Sequence, residues 1–281
     1  MTAILPKSLL LLLLLLLTFN SPGCREDRSR AGTKRVLRLA TTTSTRDSGL
    51  LDKLLPRFET AQNCRVDIIA VGTGAALKLG ETGDADILLV HDRRAEEAFM
   101  EAGHGIRHEP LMYNYFSILG PQNDPARIRD VACIDALNTI AEGRHRFLSR
   151  GDDSGTHRRE LDLWKAAGIT PSGKHYVETG QGMGRSLIMA NEMQGYILAD
   201  MGTYLKFADK IDLEPLTAAS DDLRNTYAAI GVAPDKHRMI ADQLANALVE
   251  YLISNEAQQL IQSYQIGGRQ LFHPLRLGSQ P

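Results

Sequence analysis

The chain repeatedly follows a short apolar run with a cluster of hydrogen-bond donors and then a helical pattern. Val36 to Ala40 runs into Thr41-Thr42-Thr43-Ser44-Thr45. A helix is predicted from Ser48 to Glu59, where Leu50, Leu51, Leu54, Leu55 and Phe58 recur at helical spacing and Asp47 or Ser48 is the expected cap. Arg65 to Val71 turns through Gly72-Thr73-Gly74 into a helix near Ala75, and Asp86 to Val90 precedes another from Arg94 to Ala102. Strands separated by helices cannot pair as hairpins, so this order predicts an α/β fold with a parallel sheet. In such sheets ligands meet the chain beyond the carboxyl ends of the strands. The donor clusters fall there.

Two later segments break the pattern. Met112 to Leu119 stops at Gly120-Pro121, and Asn225 to Val232 stops at Ala233-Pro234. They are read as two crossover strands joining a pair of α/β lobes. The stretch between them repeats the first scheme: a helix from Ile134 to Glu142, a strand from Arg146 to Ser149, and a helix ending at Ala167. A strand at Tyr176 to Glu178, a helix from Arg185 to Asn191 and a strand from Gly195 to Asp200 follow. Helices from Met239 to Ser254 and from Ala257 to Tyr264 then close back on the first lobe. The expected division is lobe I at 36–112 and 229–281, and lobe II at 113–228.

The densest chemistry lies in Arg150-Gly151-Asp152-Asp153-Ser154-Gly155-Thr156, just ahead of a helix. A helix start offers unpaired N–H groups and a positive dipole end. Glycines let the backbone approach a ligand, and hydroxyls add donors. These are the parts of a cradle for a compact oxyanion. The expected ligand set is Thr42, Thr43, Ser44, Thr73, Gly74, Arg150, Ser154, Gly155 and Thr156. Asp152 is expected to orient the Arg150 guanidinium, and Asp153 to cap the helix. Each feature also has a plainer reading: a surface arginine, a polar turn, a glycine after a strand. Their convergence on one anion is what raises them above it.

A hydrolase is the competing class. Ser154, His157 and Asp152 would make a triad compressed into one loop, whereas triad members ordinarily come from separate segments. There is no Gly-x-Ser-x-Gly elbow either. His91, His104 and His108 lack the spacing of a zinc site and are read as loop or surface histidines. Asp84 and Asp86 are read as turn carboxylates. Cys64 and Cys133 have no framework spacing and are expected to be separate buried thiols.

Lys7 and the leucine run Leu9 to Leu17 form a secretory signal, since the run is shorter than the about 20 apolar residues a membrane span needs. Ser21-Pro22-Gly23-Cys24 resembles the lipobox of bacterial lipoproteins, with Ser21 in place of the usual leucine. Residues 1–24 are thus assigned to signal peptide and lipobox, with Cys24 the lipidation site and 25–35 a tether. The alternative is ordinary cleavage that frees a soluble periplasmic protein. Lys and Arg number 32 against 34 Asp and Glu, which gives no reason to expect a nucleic-acid partner.

Thr41 to Leu50, Val71 to Gly74, Gly83 to His91, Met112 to Asn114, Ser149 to His157 and Gly180 to Gly184 resemble, in order and spacing, the TupA-type tungstate-binding components of bacterial ABC transporters. The Arg150 to Thr156 loop is also similar to the Arg-x-Asp-x-Ser-Gly-Thr loop of periplasmic phosphate binders. This resemblance implies a type II periplasmic-binding-protein fold whose lobes close over one oxyanion. It also implies delivery to an ABC permease, and no cofactor beyond tungstate or molybdate as transported ligand. A molybdate- or phosphate-binding protein is the nearest alternative. A tetrahedral dianion without hydrogens needs donors alone, whereas monohydrogen phosphate is better held if an acceptor faces it.

Overall fold

A computed structural model describes residues 34–278 apart from Arg238. The signal peptide, the lipobox and all but the end of the tether lie outside the described residues. The chain opens with β1 (Arg35–Thr42), α1 (Thr43–Asp47), α2 (Leu51–Gln62), β2 (Cys64–Val71), α3 (Thr73–Thr82), β3 (Ile87–Val90) and α4 (Arg93–Glu101). β1 pairs in parallel with β2, from Arg35 opposite Cys64 to Thr42 opposite Val71, and with β3 on its other side. Side chains alternate across a strand, so one strand feeds two cores. Leu37, Leu39, Ile87 and Leu89 join α2 on one face, whereas Ala40, Leu88 and Val90 join α3 and α4 on the other. All four β3 residues are buried, as a strand covered on both faces requires.

β4 (Gly105–Pro121) carries the chain out of this lobe. Then come α5 (Cys133–Glu142), β5 (Phe147–Ser149), α6 (Gly155–Ala166), β6 (Tyr176–Glu178), α7 (Met183–Glu192), β7 (Tyr196–Asp200), α8 (Met201–Phe207) and β8 (Leu213–Pro215). β9 (Arg224–Val232) returns, and α9 (Asp242–Ile253) and α10 (Asn255–Ser263) complete the first lobe. β4 pairs antiparallel with β9 from Gly105 to Tyr115 and with β7 from Phe116 to Leu119, so one strand serves both lobes. The sheet order is β2-β1-β3-β9-β4-β7-β5-β6. In the second lobe β5 runs parallel to β6 and β7. Phe147, Tyr196 and Leu198 pack under α5 and α6, and Leu148, Ile197 and Ala199 under α7.

Most boundaries match the sequence reading to within a few residues. The exceptions have physical causes. β4 is 17 residues long and starts at Gly105, because antiparallel pairing with β9 supports a polar first half. There Arg107 bonds Glu109 and Glu250, and Arg276 bonds Glu109, leaving no apolar pattern to read. Thr43 to Asp47, taken as a loop, forms the short helix α1. Neither Asp47 nor Ser48 caps α2: its N-cap is Leu50, with no side-chain bond, and the Ser48 hydroxyl donates to Thr45 O at 2.7 Å. Asp86 is no turn carboxylate. It is 1% exposed and accepts from Arg38 N (2.7 Å), Arg38 Nη2 (2.6 Å) and Ala241 N (3.0 Å), tying β1 to the start of α9. Cys64 and Cys133 are free, buried and in different cores; burial pushes the Cys133 thiol up to about 12.

Candidate functional site

The carboxyl ends of β1, β2, β5, β6 and β7 all point into one cleft between the lobes, a cavity of about 560 Å³. Thr42, Thr43, Ser44 and Thr73 reach it from the first lobe, and Arg150, Ser154, Gly155 and Thr156 from the second. Eight of the nine expected ligand residues therefore line one space. Gly74 does not: it is exposed, and a side-chain carbon there would lie 3.4 Å from Arg158 Nη2. α3 begins at Thr73, so the turn places Gly72 on the lining and carries Gly74 past it.

Helix starts make this cleft a donor surface. α3, α6 and α7 each place their first residues on the lining. Gly72 and Gly182 cap α3 and α7 without a side-chain bond, so the first-turn N–H groups are not claimed by a cap. At α6 the Ser154 hydroxyl accepts from His157 N at 3.3 Å. At α1 the Thr42 hydroxyl accepts from Thr45 N at 3.2 Å and lies 2.6 Å from Thr45 Oγ1. The two lobes come close here: a side-chain carbon on Gly155 would sit 3.7 Å from Thr73 Oγ1. Arg158 Nη1 bonds Asp92 Oδ2 at 3.1 Å and Lys206 Nζ donates to Asp47 O at 3.2 Å, both from one lobe to the other.

Arg150 is paired with Asp152. Its Nη2 donates to Asp152 Oδ2, and its side chain is 17% exposed. Its Nε is buried and has no protein partner. Burial alone would push the Asp152 carboxyl up, but hydrogen bonding from Ser154 and the charge of Arg150 together outweigh it and hold the carboxyl below its usual value. Asp152 thus stays ionised beside the guanidinium. Asp153 does not cap α6; it takes a left-handed backbone (φ 54°), and Ser154 is the cap. Gly151 also has positive φ (59°), and a side-chain carbon there would lie 2.7 Å from Glu178 Cβ, so the turn that presents Arg150 requires glycine.

Other lining residues stand outside the expected ligand set, among them His91, Gln181, Arg185, Asp200 and Lys206. Asp200 ends β7 and caps α8, a helix absent from the sequence reading, so its Oδ1 and Oδ2 take Thr203 N (2.9 Å) and Thr203 Oγ1 (2.7 Å). His91 lies in the loop between β3 and α4, half-buried, and its Nε2 is buried without a partner. The strand–turn–helix pattern marks the end of β3 as ligand-facing, but a single histidine there carried no further signal.

The PBP superfamily domain profile matches residues 29–256. The tungstate-binding protein TupA of Peptoclostridium acidaminophilum is 44% identical over 259 residues, which covers 89% of this chain and 91% of that one. The chain belongs to the TupA family within the PBP superfamily. Two solved structures agree. The tungstate-binding protein TupA of Desulfovibrio alaskensis G20 superposes with a TM-score of 0.79 at 42% identity, covering 86% of this chain and 99% of that one. The structure described as the tungstate ABC transporter from Geobacter sulfurreducens gives 0.76 at 47% identity, covering 82% and 98%.

Within this TupA-family cleft the compressed triad does not form. Ser154 Oγ meets the backbone N of His157, and the His157 ring turns its Nδ1 to Asp153 N at 3.1 Å. No imidazole nitrogen bonds the serine, so the geometry of a base-activated nucleophile is missing from this loop.

Proposed function

We propose that this protein captures tungstate, or the nearly equal-sized molybdate, in the interlobe cleft and hands it to the permease of an ABC importer. One observation carries the reading: uncapped helix starts from both lobes converge with the Arg150 guanidinium on a single cavity. A tetrahedral dianion accepts hydrogen bonds and donates none, and this lining is dominated by donors. The lobes, 36–112 with 229–281 and 113–228, act as the two jaws, with Arg158–Asp92 and Lys206–Asp47 as latches between them. The metalate is cargo; no resident cofactor and no catalytic step belong to the reading. Export by residues 1–24, with Cys24 as lipid anchor and 25–35 as tether, places the protein outside the cytoplasm beside its permease. No helix among the described residues is long and apolar enough to cross a membrane.

Calorimetric titration with tungstate, molybdate, sulfate and phosphate tests this. Tungstate and molybdate are expected to bind at one site and to outcompete sulfate, too small to reach every donor, and phosphate. Preference for phosphate would reassign the cargo. Steady hydrolysis of ester substrates would refute the binding-protein reading altogether.

A further inference from the structure

Among the described residues, two that line the cleft carry a buried side-chain nitrogen without a partner, Arg150 at Nε and His91 at Nε2. The first carries a fixed hydrogen. What the second carries is set by its neighbours. Asn225 turns its Nδ2 to Asn114 Oδ1 (2.9 Å) and to the Tyr227 hydroxyl (3.1 Å), so its Oδ1 faces His91 and takes the hydrogen on Nδ1 at 3.0 Å. The hydrogen bond at one ring nitrogen fixes the state of the other. In the neutral ring Nε2 is therefore a buried lone pair on a residue that lines a cavity built for anions.

The groups around the ring come from several elements. Tyr227 on β9 packs against it, the ring centroids 4.7 Å apart and the planes tilted by 38°. Asp200 at the end of β7, and Asp92 and Glu96 at the start of α4, supply negative charge. Asp92 is paired with Arg158 and Glu96 is bonded to His108, which blunts both. Desolvation prevails over these carboxylates and over the Asn225 bond, and pushes the ring below its usual pKa, which leaves it neutral near pH 7.

A tetrahedral dianion set against that lone pair is repelled, because neither side brings a hydrogen. We propose that loading the cleft with such a dianion takes up one proton on His91 Nε2, so that this histidine becomes a donor only in the loaded state. The proposal rests on the functional reading above. A buffer acid gives up the proton, one N–H bond forms on the ring, and no electrons change hands. The imidazolium then faces the dianion, with Asp200, Asp92 and Glu96 behind it. The loaded protein holds a proton that the empty one lacks. Affinity is accordingly highest below the empty-state pKa, falls by about tenfold per pH unit up to the loaded-state pKa, and is level above it.

The test is calorimetry of the protein with sodium molybdate in two buffers of different ionisation enthalpy, at steps between about pH 6.5 and 8.5. The expected result is buffer-dependent heat that reports uptake of up to one proton per molybdate, with an affinity that weakens as pH rises. His91→Gln keeps a permanent donor. It is expected to bind molybdate with no proton uptake and no pH slope from this step, with its melting curve confirming the fold. Molybdate binding by the unaltered protein without proton uptake at any of these pH values would overturn the proposal while leaving the functional reading intact. So would equal uptake in a folded His91→Gln. Failure of the unaltered protein to bind tungstate or molybdate would overturn both readings.

Discussion

Replacing Arg150 by alanine tests the electrostatics of the cleft most directly. In the folded protein the guanidinium has one terminal nitrogen committed to Asp152, and its buried Nε has no protein partner. An oxyanion bound through Nε and a second N–H would make two charge-assisted bonds, each worth about 1.5–3 kcal/mol. Their loss predicts a penalty of about 3–6 kcal/mol, or roughly two to four powers of ten in Kd. A second effect adds to it. Asp152 is 22% exposed, and without Arg150 its ionised carboxylate faces the dianion uncompensated. The double variant Arg150→Ala/Asp152→Asn should therefore bind tungstate more tightly than Arg150→Ala, by about tenfold for each 1.4 kcal/mol of repulsion removed. Titration calorimetry measures both, and circular dichroism checks the fold. Binding by Arg150→Ala within about threefold of the unaltered protein would remove the arginine from the ligand shell. A double variant weaker than the single one would contradict the orienting role given to Asp152.

Two further outcomes concern the support of the site. Gly151→Ala forces a side chain into a left-handed turn and against Glu178, so it should cost about 1–3 kcal/mol and lower the melting temperature; an unchanged melting curve would show that the turn tolerates a side chain. Glu160 is 3% exposed, receives the Tyr176 hydroxyl at 2.8 Å and Trp164 Nε1 at 3.3 Å, and burial raises its pKa from 4.5 to about 7. The folded state thus keeps a proton that the unfolded chain releases. The stability this gives is complete below about pH 4.5 and is lost as pH rises to about 7, a change of about 3 kcal/mol. Glu160→Gln should remove that component, and parallel denaturation profiles for both proteins across the range would show that Glu160 titrates normally.

The order of elements and the donor loops were legible in the amino-acid sequence because both depend on local properties. Periodicity shows which face of a segment is apolar, and Gly, Ser and Thr after a strand mark a turn with donors to spare. Eight of the nine expected residues share one cleft for that reason, since in a parallel sheet the ends of neighbouring strands face the same way. Gly74 missed the lining because the exact first residue of a helix is decided by packing, not by composition. Asp86 read as a turn carboxylate because its partners, Arg38 and the backbone of Ala241, are 48 and 155 positions away.

What tertiary structure alone decided is the state of each polar group. Asn225 lies 134 positions from His91 and Asn114 lies 111 from Asn225, yet together they settle which ring nitrogen carries hydrogen. No pattern along the chain encodes that, because a proton's position depends on distances, burial and hydrogen bonds that exist only when β4, β9 and the end of β3 meet. The chain by itself determined where donors stand along the backbone; folding determined which of them are already engaged and which remain free for an anion.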